Sequence, residues 1–130
     1  MNIIEDRADN GDWYEIGSSS VLGTRSNQQD FGYFYQGREE ALAVVCDGMG
    51  GHAGGDTAST IAIRSLAHIE QDSPNGDVAR ATQIMEASAM AAHDAIVGKA
   101  KRERKLAGMG TTITAITLVA DYWVLAHIGD

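Results

Sequence analysis

The chain has 130 residues, of which 44% are hydrophobic and 22% charged, with ten Lys and Arg against eighteen Asp and Glu for a net charge of −8. That is the make-up of one globular domain with an ordinary core, and it excludes collagen-like and disordered chains. The acidic balance excludes a general nucleic-acid or anionic-membrane binder and suits a protein that gathers carboxylates around cations.

Residues 1–12 are polar and read as a loose amino-terminal segment. They lack the basic and apolar blocks of a signal peptide, so the cytoplasm is the expected location. Residues 13–22 read as a strand, although Ser18-Ser19-Ser20 weakens the pattern, and 23–30 as a polar turn. Residues 31–36 are aromatic and strand-like, 37–40 a turn, and 41–46 a continuous apolar strand. Such short connections predict an antiparallel meander. The strand ends in the only cysteine, Cys46, which excludes an internal disulfide, points to a reducing compartment and reads as a buried small hydrophobe.

Residues 47–55 hold five glycines and read as a loop. A helix is predicted over about 54–71, with Ala58, Ile61, Ala62, Ser65, Leu66 and Ile69 on one face and Asp56 in its first turn. Ser73-Pro74-Asn75-Gly76 ends it, and Asp77 is placed to cap a second helix. That helix carries the stripe Val78, Ala81, Met85, Ala89, Ala92 and Ile96 and has a bend expected near Gly98. Residues 111–119 and 122–128 read as a hairpin whose two apolar faces should both be covered. Together these elements predict a layered α+β sandwich. No apolar run is long enough to cross a bilayer. The stop at Gly129-Asp130, directly after a strand, creates the expectation of a fragment of a longer protein.

Four stretches could carry chemistry. In the run from Val44 to His52, Asp47 sits at the mouth of a buried strand beside glycines. Two readings stand: a carboxylate gripping a metal ion with backbone carbonyls close by, or an Asp that merely caps a turn. A phosphate-cradling nucleotide loop is a weaker third reading, because neither a dinucleotide fingerprint nor a Lys-Ser/Thr pair is present. In Arg25-Ser26-Asn27-Gln28-Gln29-Asp30, the Arg fork suits phosphate and Asp30 could reach a metal, or both could simply face solvent. Gly108-Met109-Gly110-Thr111-Thr112 reads as a tight turn placing two hydroxyls against a sheet, and Gly129-Asp130 offers a further carboxylate at a strand end. The basic run from Lys99 to Lys105 suits a solvated helix terminus, and His68 and His93 read as structural or exposed.

The order of these motifs resembles the amino-terminal half of a bacterial-type protein phosphatase 2C (PPM) domain. The resemblance rests on Thr24-Arg25-Ser26-Asn27-Gln28-Gln29-Asp30, Asp47-Gly48-Met49-Gly50-Gly51-His52 with Gly55-Asp56-Thr57-Ala58-Ser59, Gly108-Met109-Gly110-Thr111-Thr112, and His127-Ile128-Gly129-Asp130. It spans residues 13–130, and the Asp-Gly-Met-Gly-Gly-His block is its most specific part. The resemblance implies an α-β-β-α sandwich of two antiparallel sheets flanked by helices, incomplete in this chain. It also implies a metal-dependent protein serine/threonine phosphatase acting on phosphoserine and phosphothreonine proteins, opposed by a Ser/Thr kinase. Two Mn²⁺ or Mg²⁺ ions would activate the attacking water.

Carried over by position, Asp47 bridges both metals, the Gly48 carbonyl binds one, Asp30 and Gln29 support the outer metal shell, and Arg25 holds the substrate phosphate. Asp130 is not assigned as a direct ligand. Three departures stand out: Gln29 where the family often has Glu, Gln28 where bacterial members commonly have Asn, and Met49 where many eukaryotic members have a His proposed as proton donor. The family's later metal aspartates lie in motifs this chain does not contain. The 130-residue chain alone is therefore expected to be inactive or nearly so and poorly soluble. The alternative is a catalytically dead, phosphatase-like phosphopeptide-binding module.

Overall fold

A computed structural model describes residues 2–7, 29–37 and 39–129. One antiparallel sheet backs onto two helices. In chain order the elements are β1 (Asn2–Arg7), β2 (Asp30–Gln36), β3 (Glu40–Met49), α1 (Gly51–Leu66), α2 (Val78–Arg102), β4 (Gly110–Thr111), β5 (Ile113–Val119) and β6 (Tyr122–Ile128). The strand order is β1-β6-β5-β3-β2, with β4 paired to the end of β3. The expected α+β class with an antiparallel sheet is what forms, as one sheet and one helix layer of the sandwich.

Strand periodicity decides the two faces. Leu42, Val44 and Cys46 of β3, Ala115, Thr117 and Val119 of β5, and Val124 and Ala126 of β6 point to one side and are buried. They meet Ala62 and Leu66 of α1, Ile69 in the short turn of helix that follows it, and Met85 and Ala92 of α2 in the main core. Most positions of the predicted helical stripes are buried; Ile61, Ser65 and Val78 are only half-buried, and Ser59 and Ser88 are buried beside them. Each large aliphatic chain sealed there contributes about 2 kcal/mol. A smaller cluster of Ala58, Ile96, Leu106 and Met109 closes the core near the glycine-rich turn.

No helix among the described residues lies on the opposite face. Ladder register puts Phe34, Ala43, Ile116 and Leu125 in one row across four strands there, and Val45, Thr114 and His127 in the next. Val45 is 60% exposed and Phe34 47%. The sequence predicts both faces of the hairpin to be covered; among the described residues helices cover one face and none lies over the other.

Several boundaries also differ from expectation. Residues 2–7, read as loose, form β1 and pair antiparallel with β6 from Asn2 opposite His127 to Arg7 opposite Tyr122. A polar segment can occupy an edge because pairing with β6 satisfies its backbone without demanding apolar side chains. The strand expected at 13–22 and the turn carrying Arg25 lie outside the described residues, as does Asp130. The loop expected over 47–55 is only a one-residue turn, since β3 runs to Met49 and α1 starts at Gly51. Gly50, at φ 120°, makes the reversal, and a Cβ there would lie 2.7 Å from the Met109 Cα. Asp56 consequently falls in the second turn of α1, and the first turn carries no acid.

Asp77 caps α2 as predicted, accepting from the amides of Ala79 (3.0 Å) and Arg80 (3.2 Å). The helix runs unbroken through Gly98, with Lys99, Lys101 and Arg102 in its last turn and Lys99 paired to Glu103 at 2.9 Å. Among the described residues, no helix is long and apolar enough to cross a membrane.

Candidate metal centre

Asp30 opens β2 and Asp47 lies near the end of β3, and the two are direct partners in the antiparallel ladder. Partners in such a ladder point to the same side, with Cβ atoms about 5 Å apart. Asp47 alternates with Cys46 and shares the side of Val45, so both carboxylates lie on the open face, one row beyond Val45 and Thr114. Asp47 is exposed and Asp30 half-buried, with its Oδ1 shut off from solvent.

The backbone beneath this pair is held from three directions. Thr112, in the break between β4 and β5, accepts the Asp47 amide on Oγ1 at 3.1 Å and donates its own amide to the Asp47 carbonyl at 2.9 Å. The Gly48 amide donates to the Gln29 carbonyl at 3.1 Å. Ser59 of α1 donates to that same carbonyl at 2.9 Å and meets the Thr111 hydroxyl at 3.0 Å. Gly129 packs on Thr112 so closely that a Cβ would stand 2.8 Å from the threonine Cγ2.

Gly48 has a steric reason to be glycine. A Cβ there would sit 2.2 Å from the Gly55 carbonyl oxygen and 2.6 Å from Ser59 Oγ. The β3 terminus and α1 therefore touch through backbone, with Gly55 supplying the matching bare surface. The Gln29 side chain fills the remaining corner, donating from Nε2 to the Gly51 carbonyl at 2.6 Å.

The structure thus brings Gln29, Asp30, Asp47 and Gly48 together, along with Ser59, Thr111, Thr112 and Gly129. Sequence reasoning gave the last four no ligand-supporting role. Their signal was present as small residues and hydroxyls inside motifs, but only the long-range register shows what they support. Met49 is exposed, and its side chain lies along Gly110. A thioether there offers no proton. Cys46 is buried beneath the pair, where burial pushes its thiol up to about 11 despite an opposing contact with Thr111. At neutral pH it is therefore an inert thiol.

The donor set tests whether a metal fits. Two carboxylates and a neighbouring backbone carbonyl are hard oxygens of the kind that Mn²⁺ and Mg²⁺ take alongside retained waters. Like charges placed directly opposite in a ladder are unfavourable without a cation to offset them. The set fits such an ion in kind and would supply part of its shell. No group of three or more His, Cys, Asp or Glu gathers among the described residues.

Comparison with known proteins bears on the same residues. The family described as Protein phosphatase 2C matches residues 17–130. The serine/threonine protein phosphatase PstP of Mycobacterium tuberculosis is 41% identical over 106 residues, covering 82% of this chain and 19% of that protein. The serine/threonine phosphatase stp of Listeria innocua is 31% identical over 105 residues, covering 80% of this chain and 42% of that one. Among solved structures, the M. tuberculosis phosphatase PstP/Ppp aligns over 99% of this chain and 46% of its own, with a TM-score of 0.69 and 35% identity. The PstP catalytic domain in complex with two manganese ions aligns with the same score and covers 47% of that chain. The chain therefore spans about half the length of these solved relatives and less than half of the curated ones.

Proposed function

The chain belongs to the protein phosphatase 2C family, and on that premise we propose that it supplies the first half of a metal-dependent protein serine/threonine phosphatase site. The observation that carries the reading is the Asp30–Asp47 pair on the open face of the sheet, with Gly48 locked beside it. Two Mn²⁺ or Mg²⁺ ions bound there would supply charge and acidity for the attack of water on a phosphomonoester.

The chain's own residues do the rest. Asp47 would hold the ions and Asp30 would support them from the neighbouring strand. Gly48, whose missing side chain lets the end of β3 pack directly on α1, would offer its backbone carbonyl beside Asp47. Thr112 fixes the direction of Asp47 through paired backbone and hydroxyl bonds. Arg25, assigned from its motif alone, takes the substrate phosphate with its planar fork. Met49 donates no proton, so the leaving alkoxide takes its proton from water or from another group.

The remaining ligands come from outside residues 1–130, so the chain alone is expected to turn over little or nothing. Its substrates on this reading are phosphoserine and phosphothreonine proteins in the cytoplasm, opposed by a Ser/Thr kinase. Neither nucleic acid nor membrane is a partner. The net charge of −8 supports that exclusion.

The test is hydrolysis of a chromogenic phosphomonoester and a phosphothreonine peptide by the full-length protein, with Mn²⁺ and with a chelator. Turnover that requires both Mn²⁺ and Asp47 supports the proposal; turnover that survives chelation or Asp47→Asn refutes it. The small donor set among the described residues favours one second reading, a phosphopeptide-binding module without turnover. Peptide binding in chelator that depends on Arg25, with no hydrolysis under any metal, would identify it.

A further inference from the structure

We infer that Gln29 is a positioning residue whose side-chain amide clamps the glycine turn to the start of β2, thereby fixing Asp30, Asp47 and Gly48 relative to one another. This rests on the metal-centre reading above and assigns Gln29 a part different from outer-shell support of a metal through water. One residue makes three ties. Its carbonyl accepts the Gly48 amide at 3.1 Å and the Ser59 hydroxyl at 2.9 Å, joining the end of β3 and the body of α1 to the residue just before Asp30. Its Nε2 donates to the carbonyl of Gly51, the first residue of α1, at 2.6 Å. Its side-chain carbon Cδ then lies against Gly55, 2.8 Å from where a Cβ would be. The amide thus spans the turn at Gly50 beside the site.

The chemistry of the third tie separates two roles. A carbonyl acceptor needs a donor, which an amide has and a carboxylate lacks. If residue 29 served the metals by charge, Gln29→Glu would add a third carboxylate and tighten cation binding. If it serves as a clamp, the same change removes the donor, sets a carboxylate against the Gly51 carbonyl and loosens the turn. The two roles therefore predict opposite signs for one substitution.

The experiment is Mn²⁺ titration of the full-length protein and its Gln29→Glu and Gln29→Leu variants, with free Mn²⁺ counted by electron paramagnetic resonance and Tm measured in chelator. The clamp predicts that both variants weaken Mn²⁺ binding by about tenfold or more, the range for groups that orient ligands, while the metal-free Tm falls little. Tighter binding by Gln29→Glu, or unchanged binding in both variants, overturns it. Should a variant fail to fold, nitrogen-15 NMR of the unmodified protein decides. A Gln29 side-chain amide protected from exchange supports the clamp, and one exchanging at the rate of a free glutamine overturns it. An unmodified protein that takes up no Mn²⁺ would refute the phosphatase reading separately, and the amide measurement would still judge the clamp.

Discussion

Asp30 and Asp47 stand directly opposite one another in the β2–β3 ladder, on the face of the sheet that no helix among the described residues covers. Their position couples the fold to the chemistry. The helix-covered face builds the core, and the open face ends in a row of two carboxylates beside a strand pinned by Thr112. On the proposed metal-centre reading, a cation bound here would offset the repulsion between two facing carboxylates.

Replacing Asp47 with Asn keeps the size of the side chain and removes its charge. In the full-length protein, Asp47→Asn is expected to weaken Mn²⁺ binding by about a hundredfold or more, beyond the range of groups that only orient ligands. Phosphatase turnover should fall in parallel and return only partly at high Mn²⁺. Calorimetric titration checks the affinity, and an unchanged binding constant would remove Asp47 from the metal centre.

Gly48→Ala tests the backbone contact behind the site. The added methyl would meet the Gly55 carbonyl oxygen at 2.2 Å, and neither backbone can yield without moving the end of β3 or the second turn of α1. Overpacking of this kind costs about 1–3 kcal/mol. Urea unfolding should show that loss as a lower midpoint. Gly51→Ala provides a contrast: it meets nothing within 4 Å, so its cost comes only from the positive φ of 78°.

Much of this arrangement was legible in the chain, and the gaps have physical causes. Helical spacing found both buried stripes, and Asp77 announced itself as a cap because its signal is local. The Asp-Gly-Met-Gly-Gly-His block likewise drew attention to the end of β3 through local sequence alone. β1 escaped notice because its stability comes from pairing with β6, far along the chain, and its polar sequence carries no strand signature. The extent of the glycine loop was overestimated because β4 pairs with Gly48 and Met49 and prolongs β3 into glycine-rich sequence. The facing of Asp30 and Asp47, and the reach of Gln29 to Gly51, depend on register between segments separated in sequence, which composition and spacing do not contain.

Cys46 provides a pH test of the core beneath the site. Burial raises its thiol from 9.0 to about 11 in the folded protein. A raised value means that the folded state favours the protonated thiol. This contribution to stability is complete below pH 9.0 and is lost as pH rises toward about 11. Measured against Cys46→Ala to cancel other titrations, the unfolding free energy should fall by up to about 3 kcal/mol across that window. Alkylation at pH 8 should be slow in the folded protein and fast in urea. Equal rates in both states would show that the thiol is not shielded.

The open face makes a prediction about the 130-residue chain on its own. Phe34, Ala43, Ile116 and Leu125 form a continuous apolar row across four strands, with Val45 beside it. Contiguous exposed apolar surface of this kind drives association. The isolated chain should therefore self-associate in sedimentation velocity, more strongly as salt rises, because its net negative charge is then screened. Ile116→Lys places a charge in the middle of the row on the side away from the helices, so it should reduce association while changing unfolding free energy by only about 0.5 kcal/mol. A substitution at the preceding residue could not serve, since Ala115 faces the helices and is fully buried. A chain that stays monomeric at high concentration and high salt, with or without Ile116→Lys, would mean that this row is not sticky in solution. A variant that associates less only because it unfolds would be recognised by its lost helical circular dichroism.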